Sequence, residues 1–76
     1  MNTLAARWGH LIHTKRRAAG LSQVELGKRI GRPQPTISRW EGGRTVPSPA
    51  DQERLYRVLE LTADDLAAVY GGEAVA

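Results

Sequence analysis

SQVELGKRIGRPQPTISRWEGG, residues 22–43, decides the reading of this chain. It holds two short runs of helical periodicity separated by a tight turn. Ser22 is an N-cap residue with Glu25 three positions on, so each side chain can satisfy a backbone N–H of the other. Leu21 and Leu26 stand at N′ and N4, where a hydrophobic staple packs. Leu26 and Ile30 then recur at i and i+4, and the run stops at Gly31, a residue free to adopt positive φ. Beyond the turn Ile37 and Trp40 share an i, i+3 spacing, which gives the second helix one buried face. Gln34, Thr36, Ser38 and Arg39 fall largely off that face. Gly42-Gly43 ends the segment. Gly27, one turn before Gly31, lets the second helix cross close to the first.

Two short helices on a glycine turn, the second rich in basic, hydroxyl and amide groups, form the layout of a helix-turn-helix, which sets one helix in the DNA major groove. The chain resembles phage repressor and Cro-type transcription regulators, the xenobiotic-response-element family. The resemblance is carried by G-L-S-Q at 20–23, Leu26 followed by Gly27, the turn at Gly31, T-I-S-R at 36–39, Glu41, Gly43 and Pro47. Leu55, Leu59, Leu61 and Leu66 extend it over roughly residues 8–70. Three positions depart from the family pattern. Arg32 replaces a usual apolar residue, Pro33 a usual capping Ser or Thr, and Pro35 enters the first turn of the second helix. A first helical turn tolerates proline, because its N–H groups lack intrahelical partners. Neither proline has an N–H to offer a phosphate.

The resemblance implies that the Gln23 amide touches a DNA phosphate, at a helix N-terminus whose free N–H groups already favour anions. It also implies that the Gly43-Arg44-Thr45 loop is a second phosphate clamp. Arg32, beside the turn, is a further candidate for such a contact. Four residues before Gly20, Arg16 is expected by resemblance to meet Glu41 and hold the recognition helix. For base reading the residue chemistry selects Gln34 and Arg39. A glutamine amide pairs bidentately with adenine and a guanidinium with guanine. They lie about 140° apart round a helix, yet the long Arg39 side chain reaches back toward the N-terminus. Thr36 and Ser38 are candidates for bases, phosphates or local capping, and Pro35 offers an apolar edge to a thymine methyl. Lys28 and Arg29 read as a solvated face.

Charge divides sharply along the 76 residues. Residues 1–47 carry nine basic and two acidic side chains, a net +7, and residues 48–76 two basic and six acidic, a net −4. A basic half that coincides with the helix pair points to a polyanionic partner. The chain has no cysteine, so disulfides and thiolate metal sites are excluded and a reducing cytoplasm suits it. It also lacks an apolar run near 18 residues and a signal-peptide core.

The remaining segments read as helices. Leu4, Trp8, Leu11, Ile12 and Ala19 follow amphipathic spacing over about Leu4 to Ala19, with Gly9 a cost of about 1 kcal/mol and Gly20 as the stop. Ser48-Pro49-Ala50-Asp51 reads as N-cap, proline and capping-box acid of a helix reaching about Leu59. Thr62 with Asp65 starts the last helix, Leu61 and Leu66 staple it, and Gly71-Gly72 should end it. The expectation is an all-α, five-helix, repressor-like domain over residues 1–76. Within it the helix-turn-helix spans 22–43, a two-helix support 48–70 and a frayed tail 71–76. Trp8 and Trp40 sit at core spacing.

No nucleophile elbow, phosphate loop or metal spacing is present. His10 and His13, at i, i+3, lack a third ligand and read as surface residues. The chain is therefore expected to be a non-enzymatic, cofactor-free regulator that binds a double-stranded DNA operator in the cytoplasm. A protein-interaction module on the same fold, such as an antitoxin or antirepressor, is the alternative. One short helix reads too few base pairs to single out an operator, so a homodimer on DNA is expected, with Leu66, Val69 and Tyr70 as its candidate stripe and Leu66 the one expected to go to the domain's own core.

Overall fold

The computed structural model describes residues 3–74. Five helices follow one another: α1 (Leu4–Ala18), α2 (Gln23–Ile30), α3 (Gln34–Glu41), α4 (Pro49–Val58) and α5 (Ala63–Ala74). The all-α architecture expected from the sequence is the one observed.

Most helix starts follow from side-chain caps. Thr3 accepts from the Ala6 N–H at 3.0 Å. Ser22 and Glu25 form a complete capping box, as do Thr62 and Asp65. The expected box at Ser48 is only half made. Ser48 Oγ accepts from the Asp51 N–H, but the Asp51 carboxylate does not return to the Ser48 backbone. It is held instead by the Ser48 hydroxyl, Arg32 and Arg54. The α2–α3 turn is made at Gly31, with φ +74°, a conformation that costs a residue with a Cβ. Glu60 accepts that cost, standing at φ 51° just past α4 where glycine is the usual choice.

Helix α5 does not end at Gly71-Gly72 but continues to Ala74. Glycine weakens a helix without forbidding it, and neither residue is required to turn left-handed here. The expected frayed tail thus overlaps helix at 71–74, while residues 75–76 lie outside the described part.

Trp8, Ile12, Leu26, Ile37, Leu55 and Val69 are the most deeply buried large side chains. Val69 therefore belongs to the domain's own core rather than to an intermolecular stripe, because α5 packs along α1. Leu66 is half-buried against the same core. Trp8 and Trp40 are buried, and the Trp8 indole N–H donates to the Tyr70 hydroxyl at 3.0 Å, with the rings edge to face. A buried indole needs such a partner.

Gly9 has a role that its helix propensity conceals. A Cβ there would stand 2.4 Å from the Trp40 carbonyl oxygen and 2.9 Å from that of Glu41. The missing side chain lets the end of α3 rest on the backbone of α1. Gly27 works similarly at the turn, where a Cβ would stand 2.4 Å from the Arg32 carbonyl. Gly9→Ala should thus lower stability by about 1–3 kcal/mol through overpacking, although Gly→Ala within an exposed helix would raise it by about 1 kcal/mol. The thermal midpoint should fall by about 4–8 °C per kcal/mol. A raised midpoint would show that α3 can shift away without loss.

Candidate nucleic-acid interface

Helix α3 presents its polar side chains because Ile37 and Trp40 bury the opposite face. At about 100° per residue, Ser38, Pro35 and Arg39 lie roughly 40°, 100° and 140° round from Gln34, across from the two core residues. Gln34, Pro35, Ser38 and Arg39 are exposed and Thr36 is half-buried. Arg39 has no acidic partner among the described residues. It donates only to the Thr36 hydroxyl, at 3.3 Å, so Thr36 steadies the guanidinium along the outer ridge.

Gln34 lies on the α2 side of that ridge and donates its amide to Gln23 Oε1 at 2.6 Å. The Gln23 NH₂ in turn donates to Glu41 Oε1 at 3.1 Å. One relay therefore links the first residues of both helices to the last residue of α3. The Gln34 carbonyl oxygen and its second N–H remain available, which is the donor–acceptor pair that adenine requires.

Glu41 terminates the relay. Arg16 meets its carboxylate through Nε and Nη2, the latter at 2.9 Å from Oε1, and spends Nη1 on the Leu21 carbonyl at 2.8 Å. Both side chains of this ion pair are less than one-tenth exposed. His13 Nδ1 stands 3.0 Å from Glu41 Oε1. Spacing alone left His13 as a surface residue, and it is half-exposed, yet it shares the Glu41 contact. The signal for that was its position three residues before Arg16 on the same helix.

Burial alone would push the Glu41 carboxyl up, but hydrogen bonds from Arg16, His13 and Gln23 outweigh it and hold the group below its ordinary range. The hydrogen bond to Glu41 in turn raises Arg16. Asp51 is the second such carboxylate: burial is overcome by Arg32, Ser48 and Arg54, and the group is lowered.

The expected phosphate contacts fall into two sets. Gln23 and the Gly43-Arg44-Thr45 loop flank the ends of α3, with Arg44 and Thr45 exposed. Gly43 takes φ +71° and brings its backbone against Ala6, where a Cβ would stand 3.2 Å from Ala6 Cα. Arg32 is engaged by Asp51 at 2.9 Å. Arg17, Lys28, Arg29 and Arg44 form no ion pair among the described residues, although Glu25 lies within electrostatic reach of Lys28 and Arg29, and no group of three or more metal-ligating side chains is found there. No helix among the described residues is long and apolar enough to cross a membrane.

These carboxylates make stability depend on acid. A folded-state pKa below the unfolded value means that the unfolded chain binds more protons in acid, so the stabilisation is complete above about pH 5 and is lost as pH falls through the folded values. Urea midpoints should be flat from about pH 7 to 5 and drop below about 4. Glu41→Gln should cost about 3 kcal/mol at neutral pH by leaving Arg16 buried without its charge partner, and should flatten the acid limb. In a double-mutant cycle, Arg16→Ala and Glu41→Ala should together lose less than their sum. Additive losses and an unchanged acid limb would remove the ion pair from this account.

Residues 7–69 match the family model described as a helix-turn-helix domain. Among solved structures, the crystal structure of the clp gene regulator ClgR from Corynebacterium glutamicum is similar at 23% identity and a TM-score of 0.81, covering 96% of this chain and 79% of that one. No curated protein matches the sequence. The turn at Gly31, the docked α3 and the family match over most of its length agree: the chain belongs to the helix-turn-helix domain family.

Proposed function

We propose that the protein is a sequence-specific regulator of transcription, similar to phage repressors and Cro proteins, that lays α3 in the major groove of double-stranded DNA. The observation that carries this reading is the exposed polar ridge of α3, with Arg39 free of any acidic partner among the described residues and Gln34 tied to Gln23. The net +7 of residues 1–47 supports it, as does the shared fold with a protein described as a gene regulator.

In this reading Gln34 and Arg39 read bases, Thr36 and Ser38 add hydroxyl contacts, and Pro35 meets a thymine methyl. Gln23, Arg32, Gly43, Arg44 and Thr45 engage phosphates and fix the register without specifying sequence. Two copies on one duplex would double the bases read and place their recognition helices in successive major grooves, ~34 Å apart. With Val69 in the core, the exposed Tyr70 and the open side of Leu66 remain for that contact.

Binding-site selection followed by fluorescence anisotropy at two salt concentrations tests the reading. Arg39→Ala should cost about 1–3 kcal/mol on the selected duplex and relax the preference at one base pair. Arg44→Ala should weaken all duplexes alike and reduce the salt slope by about one. An unchanged sequence preference in Arg39→Ala would overturn the base-reading assignment. Absence of DNA binding at low salt, together with a co-purifying protein, would favour an antitoxin or antirepressor.

The dimer is tested separately, by footprinting and sedimentation on the selected duplex. Half-sites centred about 10 base pairs apart, occupied by two chains, are expected. One chain on a non-palindromic site would eliminate the two-fold arrangement.

A further inference from the structure

The turn between α2 and α3 and the start of α4 share a charged cluster, of which the contacts above use Arg32 but leave Asp51 and Arg54 without a role. Its centre is Asp51, whose side chain is 7% exposed. Oδ1 accepts from Arg32 Nε at 2.9 Å and from Arg54 Nη1 at 3.1 Å, and Oδ2 accepts from the Ser48 hydroxyl at 2.9 Å. The two arginines are 42% and 49% exposed. Arg32 thus spends one N–H of its guanidinium internally, while Nη1 and Nη2 make no hydrogen bond among the described residues. Arg54 likewise keeps Nε and Nη2. Two guanidiniums on one carboxylate leave the cluster with a net charge of +1 and a fan of oriented donors.

The place of this cluster matters. Arg32 immediately precedes Pro33, the N-cap of α3. A helix N-terminus ordinarily offers backbone N–H groups to an anion, but Pro33 and Pro35 have none, and the Thr36 N–H is turned to the Pro33 carbonyl at 3.0 Å. The start of α3 has therefore lost much of its backbone capacity for phosphate. The fixed guanidinium next to it supplies planar, charged donors suited to the same ligand.

We infer that Asp51 is a positioning residue that holds Arg32 and Arg54 as a paired clamp for one DNA backbone phosphate beside the start of α3, replacing the amide donors that Pro33 and Pro35 lack. This clamp rests on the DNA-binding reading proposed above. A merely structural cluster would tie the turn to α4 and leave DNA affinity alone. A cluster acting only through its overall charge would bind more tightly once Asp51 was neutralised.

Three proteins distinguish these cases on two probes, a mixed-sequence duplex and the duplex selected with the parent, titrated between about 50 and 200 mM salt. Arg54→Gln should weaken both duplexes roughly tenfold and lower the salt slope by about one. Asp51→Asn raises the cluster from +1 to +2, yet should weaken binding because both guanidiniums lose their anchor. Circular dichroism melts identify the temperature at which each variant is fully folded, and binding is read there. An unchanged slope in Arg54→Gln, with a parent that binds, overturns the clamp alone. Tighter binding by folded Asp51→Asn overturns the positioning role. If Asp51→Asn does not fold, the Arg54→Gln slope still decides. A parent that binds neither duplex overturns the DNA reading, and the clamp with it.

Discussion

The Glu41 carboxylate lies where α1, α2 and the end of α3 meet, and the orientation of α3 depends on how that charge is satisfied. An eight-residue helix is too short to persist alone in water, so its direction must come from what it touches. Ile37 and Trp40 fasten one face to the core, but apolar burial is non-directional and leaves the helix free to rotate or slide by small amounts. The Arg16 fork on Glu41 fixes both. A carboxylate at the negative end of a helix dipole is unfavourable by itself, and a buried ion pair yields little net stability over an apolar substitute. What this pair gives is geometry, since a guanidinium bonded through Nε and Nη2 meets both carboxylate oxygens in one planar orientation. Gly9 is the steric counterpart, admitting the α3 carbonyls to a distance that no Cβ would allow.

The same carboxylate explains how the polar surface is ordered. Through Gln23 it reaches Gln34, so the amide at the start of α3 is oriented by the charge at its end. Several other acidic side chains are committed within the fold: Glu25 and Asp65 to caps, Asp51 to two arginines, and Glu53 to Arg57. Asp65 in addition takes Lys15. Arg17, Lys28, Arg29, Arg39 and Arg44 form no ion pair among the described residues, and all lie in the first 44 positions. These cations thus face outward, while the acids Glu25, Glu41 and Asp51 are tied within the fold. An outward field of one sign steers a polyanion and gives affinity that falls with salt.

Local signals in the sequence were legible where the physics is local. Caps at Ser22 and Thr62, the turn at Gly31 and the apolar spacing of Leu26, Ile30, Ile37 and Trp40 depend on neighbours within one or two turns, and they define α2, α3 and the start of α5. The errors fall where a distant element intervenes. Gly9 reads as a propensity cost because its benefit lies on α3, about thirty residues away. Val69 reads as available because the α1 surface that covers it is 60 residues distant. Asp51 reads as a capping-box acid until Arg32 and Arg54 claim its carboxylate. Gly71-Gly72 reads as a stop because glycine commonly ends helices, but it does so by adopting positive φ, and nothing here demands that. The relay through Gln23 was invisible for the same reason: its members are 11 and 18 residues apart.

The two prolines around α3 bring these constraints together. Pro33 and Pro35 restrict the unfolded chain and so reduce the entropy lost when the turn forms. They also deprive the helix start of backbone donors, which a flexible loop would otherwise have brought to an anion. Two polar groups left at that place are each fixed by a side chain from another element, Gln34 by Gln23 and Arg32 by Asp51, while Arg39 leans on Thr36 of its own helix. A surface organised in this way loses little conformational entropy on binding, but it cannot adapt to a ligand whose acceptors lie elsewhere. Donors held in place favour a partner of regular, repeating geometry. A duplex, with phosphates at constant intervals and base edges at constant depth, meets that condition better than an irregular protein surface.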